Sequence, residues 1–158
     1  MNIAEKINYR VGKIRATNCI GNYYYSKAFN DKAINYYIKA LKLAESSNDI
    51  ENIIIGKSNL ANIYGKHNNL AKAINLLQEC NNLLLQKGDS ASRNRAAILT
   101  NLASCYSTNQ QHDSAIYFYN KVYEICNSAK INFGIALALH NLGSEYLQTK
   151  KYATAIDY

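Results

Sequence analysis

The chain has 158 residues, 48% of them hydrophobic, with seven glycines and no proline. That length can bury one sizeable core, that apolar fraction excludes a disordered chain, and the scarcity of turn-formers disfavours an all-β fold. The net charge of +7 comes from 18 basic residues in small scattered groups, which fits a solvated surface with a leaning towards acidic partners; no nucleic-acid interface is expected.

In chain order, apolar periodicity predicts helices at about 9–27, 31–46, 50–66, 70–87, 91–108, 113–128, 131–149 and from 152 to the end. Asp49 and Asp89 are expected as N-caps of the third and fifth, and Gly88 as the stop after the fourth. The connections, such as Lys66-His67-Asn68-Asn69 and Thr108-Asn109-Gln110-Gln111, are polar and short enough for tight helix–helix turns. No linker or low-complexity segment divides the chain, so one all-α domain is expected.

These helices come in pairs that repeat. Each pair carries an apolar residue (Ile20, Leu60, Leu102, Leu142) followed at once by a small one (Gly21, Ala61, Ala103, Gly143). A tyrosine follows (Tyr24, Tyr64, Tyr106, Tyr146), then alanine and isoleucine (Ala33-Ile34, Ala73-Ile74, Ala115-Ile116, Ala155-Ile156). Internal spacing is constant, and successive copies are offset by 40, 42 and 40 residues. The small residue lets a second helix approach closely, the alanine on that helix completes the contact, and the tyrosine is expected to fill core space beside it. A helix pair cannot cover its apolar face alone, and stacking the pairs gives a solenoid.

This pattern of small residue, tyrosine and alanine resembles the tetratricopeptide repeat. The standard repeat is about 34 residues and usually closes with proline, which is absent here; the longer spacing resembles the extended variety found in bacterial signalling and regulatory proteins. The repeats are read as about 9–46, 50–87, 91–128 and 131–158, the last cut short in its second helix at Tyr158. A fragment of a longer protein is therefore expected.

No catalytic or cofactor motif is present: no glycine-rich phosphate loop, no HExxH, no GxSxG and no paired carboxylates. His67 and His112 fall in connecting turns, and His140 lies on a first helix. Cys19, Cys80, Cys105 and Cys126 have no metal-ligand spacing and are expected as small buried hydrophobes. A non-enzymatic chain without cofactor or metal is expected. No apolar run approaches the ~20 residues of a membrane span, and MNIAEKINYR does not read as a signal peptide. A cytoplasmic location is expected, or a periplasmic one if a targeting segment has been removed.

The remaining signal is polar. Asn59, Asn101 and Asn141 recur in register, each just before the apolar–small pair, with Cys19 in that place in the first copy. One turn on lie Asn22, Asn62, Ser104 and Ser144. The resemblance implies that this stripe of the first helices lines a concave groove. A carboxamide offers both donors and an acceptor, so a ladder of them suits the backbone of an extended peptide. Arg15, Tyr25, Ile55, Lys66, Leu137, His140 and Gln148 fall on or near the stripe, and Arg15 and Lys66 favour an acidic segment. The same asparagines could instead bond neighbouring helices. The expected function is a peptide-binding interaction module of a larger regulatory protein, a sensor kinase or transcription regulator by analogy. The alternative is a spacer or self-association domain.

Overall fold

The computed structural model describes residues 3–157, with side chains from Tyr9 onward. Tyr158, the last residue of the fourth expected repeat, lies outside the described residues. Among those described there are eight helices: α1 Ile3–Ser26, α2 Asn30–Ser46, α3 Ile50–Lys66, α4 Leu70–Gln86, α5 Arg93–Thr108, α6 His112–Ser128, α7 Asn132–Gln148 and α8 Tyr152–Ile156. Each helix packs on the next in chain order, so the array is a stack of helix pairs: α1 with α2, α3 with α4, α5 with α6, α7 with α8.

The turns explain how a chain poor in glycine and lacking proline makes so many tight reversals. Every connection uses one residue in the left-handed region: Ala28, Asn48, Asn68, Gly88, Gln110, Lys130 and Lys150, with φ between 51° and 77°. Each closes the same pair of hydrogen bonds. After α1, Phe29 N–H donates to Tyr24 C=O at 2.9 Å and Ala28 N–H to Tyr25 C=O at 3.0 Å. This is the Schellman arrangement, which satisfies carbonyls that the helix end would otherwise orphan. Asp49 caps α3 as expected, its Oδ1 accepting from Asn52 N–H at 3.1 Å. Asp89 does not cap α5. Ser92 does, its Oγ accepting from Arg95 N–H at 3.0 Å, because the connection from Gly88 runs further before the helix begins.

The small-residue contact is tight. A Cβ on Gly21 would lie 2.6 Å from the ring of Tyr37 on α2. Ala61 and Ala103 hold the same place in later pairs and are fully buried, as are Ala33, Ala73 and Ala115 opposite. Leu60, Leu102 and Leu142 are buried between successive pairs, each contributing roughly 1.5–3 kcal/mol of burial. Ile20 differs: it is 42% exposed, since no helix precedes α1 among the described residues to cover it. The repeated tyrosines Tyr24, Tyr64 and Tyr106 are half-buried rather than core. They pack at the edge, Tyr24 stacked on Tyr36 and Tyr106 on Phe118. The core tyrosines are Tyr37 and Tyr119, one on α2 and one on α6, with Leu77 in the equivalent place on α4. Cys80 and Cys126 are buried as expected, Cys105 partly so, and Cys19 is exposed.

Neighbouring first helices touch one another (α1 with α3, α3 with α5, α5 with α7), whereas no two second helices do among the described residues. The first helices therefore form one continuous face of the stack.

Candidate functional site

Three cavities mark the first-helix face. The first, about 490 Å³, brings together Tyr25 from α1, Asn62 and Lys66 from α3, and Asn101, Ser104 and Thr108 from α5. The second, about 520 Å³, lies between α3 and α5 and includes Ile55, Asn59 and Asn101. The third, about 320 Å³, lies between α5 and α7 and includes Leu137. Of the expected site residues, Tyr25, Asn59, Asn62, Lys66, Asn101 and Ser104 thus line the first two cavities, with Asn101 shared by both. None of the three includes Arg15, Asn22, Asn141, Ser144 or His140; Arg15 and His140 are exposed on α1 and α7, while Asn141 and Ser144 are half-buried on α7.

Several of these side chains already have partners. Asn101 donates from Nδ2 to Asn62 Oδ1 at 3.2 Å, across neighbouring repeats. Asn22 Oδ1 accepts from the Tyr37 hydroxyl at 2.7 Å. Lys66 Nζ sits 4.7 Å from the centre of the Tyr25 ring, a cation–π contact that holds the charge at the cavity wall without neutralising it. The first cavity therefore presents one cation, the hydroxyls of Tyr25, Ser104 and Thr108, and a carboxamide pair, with no acidic side chain among its walls.

Beneath this face lies a polar pair that sequence reasoning missed. His112 is not a solvated turn residue: it opens α6, and its Nδ1 lies 2.8 Å from Glu145 Oε2 on α7. Glu145 is only 2% exposed, so this contact gives its buried carboxyl group a hydrogen-bond partner. Tyr119 packs nearby, and its phenol is pushed up to about 12, first by burial and then by the charge of Glu145, with a hydrogen bond to Ser104 acting the other way. Burial likewise raises the Cys105 thiol at the wall of the first cavity, which keeps it protonated and unreactive near neutral pH. No group of three or more His, Cys, Asp or Glu that could hold a metal occurs among the described residues.

Residues 94–158 match the profile of the tetratricopeptide repeat family. Residues 94–158 carry tetratricopeptide repeats, and the helix pairs before them share the same architecture. Solved structures show the same fold over nearly all of it. BtubC (BKLC) from P. vanneervenii superposes with a TM-score of 0.82 at 19% identity, covering 91% of this chain and 59% of its own. The apo form of RapI gives 0.84 at 16% identity, over 94% of this chain and 41% of its own. A signal transduction ATPase with numerous domains and a tetratricopeptide repeat sensor, from Pyrococcus horikoshii, gives 0.84 at 18% identity, over 94% and 23%. The chain thus spans about three fifths of BtubC and a smaller share of the other two. No curated protein matches the sequence. No helix among the described residues is long and apolar enough to cross a membrane. The helix pairs recur every 40 or 42 residues, against ~34 in the standard tetratricopeptide repeat. The excess lies in the helices, which run to 16 or 17 residues from α2 to α7.

Proposed function

We propose that this array is a protein–protein interaction module that holds a peptide segment of its partner along the first-helix groove. The observation that carries the reading is the first cavity. There Tyr25, Asn62, Lys66, Asn101 and Ser104 from three successive first helices converge on one space. Carboxamides and hydroxyls there can pair with a peptide backbone, each hydrogen bond adding ~0.5–1.5 kcal/mol net. The cation of Lys66 favours a segment with acidic side chains. Repeat scaffolds of this kind are generally non-catalytic, and the first-helix face suits recognition rather than chemistry. The Pyrococcus protein's repeats are described as a sensor, which supports placing this module as the sensing or docking part of a larger regulatory protein.

The test replaces Asn62, Lys66 and Asn101 together by Ala. Peptides selected from a random library on the unaltered chain should lose at least tenfold in affinity for the triple variant, with the helical circular dichroism spectrum intact. Equal affinity would remove the groove from the account.

A second reading, self-association, draws on a separate observation: Leu147 near the end of α7 and Tyr152 and Ile156 on α8 are exposed large apolar side chains close together in sequence. Sedimentation over a range of concentrations separates the two, since only this reading requires a concentration-dependent dimer.

A further inference from the structure

Two of the groove cavities occupy the same place in successive repeats and are furnished with opposite chemistry. Between α3 and α5 the lining includes Glu51, Asp89, Asn94 and Lys87. One repeat on, between α5 and α7, Arg93 stands for Glu51, Ile131 for Asp89 and Gly134 for Asn94, and Leu137 takes the place of Ala97. A polar cleft has become an apolar one with a single cation at its rim.

The walls of the second cleft are built for close approach. A Cβ on Gly134 would overlap Cys126 Sγ, so glycine lets α7 settle onto α6 and leaves Val122 and Cys126 as an apolar floor. Phe133 and Leu137 stand beside it, 81% and 38% exposed. Arg93 has no ion pair among the described residues. At about 320 Å³ the cleft is at the small end of the ~300–1,000 Å³ range of ligand pockets. That admits one or two side chains and not the face of a helix. It adjoins the preceding cleft, with Ala97 of α5 in the wall of both.

We propose that the α5–α7 cleft is the anchor pocket of the groove, taking one aliphatic or aromatic side chain of a partner segment that carries an Asp or Glu next to it for Arg93. This rests on the peptide-binding reading and adds its specificity: apolar and acidic at this cleft, polar at the preceding one. The clefts recur at about the ~10 Å spacing of packed helices, and an extended chain rises ~3.3 Å per residue. The anchor and the polar position should therefore be about three residues apart.

The experiment is a display selection of random dodecapeptides on the folded chain and on its Leu137→Asn, Phe133→Ser and Arg93→Glu variants. The unaltered chain should enrich an apolar residue beside an acidic one. Leu137→Asn and Phe133→Ser should lose the apolar preference, and Arg93→Glu the acidic one alone. A synthetic peptide of the winning sequence should bind Leu137→Asn at least tenfold more weakly. Both α7 positions are solvent-facing, so circular dichroism should match the unaltered chain, and either variant serves if the other fails to fold. A motif with no apolar position, or the same motif on both α7 variants, overturns the anchor pocket while leaving the groove standing. No enrichment on the unaltered chain overturns both.

Discussion

Asn101 donates to Asn62 between neighbouring first helices at 3.2 Å, and the reason lies one layer down. The position held by Asn62 in the second repeat is held by Asn22 in the first and Ser104 in the third. Asn22 accepts from the hydroxyl of Tyr37, and Ser104 hydrogen-bonds Tyr119. Beneath Asn62 the equivalent residue is Leu77, which has no hydroxyl to serve. Its carboxamide turns to the neighbouring repeat instead.

This difference should be measurable. Asn22→Ala leaves the hydroxyl of Tyr37, a residue only 2% exposed, without its partner, and should cost about 1–2 kcal/mol. Asn62→Ala removes a solvent-exposed bond and should stay within about 0.5 kcal/mol. Urea unfolding of the two variants gives both numbers, and equal costs would contradict the layering.

Gly21→Ala should be far more damaging than its size suggests. The added methyl would meet Tyr37 Cδ1 and Cε1 at 2.6 Å, and the ring is held by its hydroxyl bond to Asn22. Overpacking of this kind costs about 1–3 kcal/mol. Thermal unfolding should show a lowered midpoint for Gly21→Ala and a slightly raised one for Gly12→Ala, where a Cβ has open space inside a helix.

The turn after α1 offers the opposite change. Ala28 has φ 61°, a conformation that costs a residue with a Cβ about 1–2 kcal/mol. Glycine relieves that strain but frees more backbone when unfolded, so Ala28→Gly should stabilise by about 0.5–1 kcal/mol in denaturant titration. Destabilisation by the same substitution would count against the Schellman geometry.

Alkaline pH should unfold the array early. Tyr37, Tyr119, Cys80, Cys105 and Cys126 are all raised, chiefly by burial. Each prefers its neutral form in the folded chain. The stability from that preference is whole below the ordinary values of 9.0 for the thiols and 10.0 for the phenols. It is lost as pH climbs through the raised values, about 12 for Tyr119. Tyr119→Phe should therefore lose less stability than the unaltered chain between pH 10 and 12, by on the order of 2 kcal/mol. Parallel stability curves would contradict the burial of that phenol.

The repeat was legible because its constraint is local and recurs: a small residue, an alanine opposite and a fixed turn between them at every pair. Asp49 could be read as a cap because it abuts the first periodic residue; Asp89 misled because the helix starts after Ser92. The core tyrosines escaped notice because their position reads Tyr37, Leu77, Tyr119, conserving burial and not residue type. The His112–Glu145 pair joins residues 33 apart in sequence, and only the packing of α7 on α6 brings them together. In the groove, the stripe of polar residues followed from helical spacing, whereas the partners of Asn22, Asn62 and Ser104 depend on what lies beneath each.

The central claim is that partners lie along the first helices. A photo-crosslinking residue placed at Asn101, in the groove, and separately at Tyr117, exposed on α6, tests it directly in the source cell. The account predicts discrete protein adducts from position 101 that vanish when Asn62 and Lys66 are also changed to Ala, and none from position 117. Adducts from 117 alone would contradict it and move the interaction to the outer face.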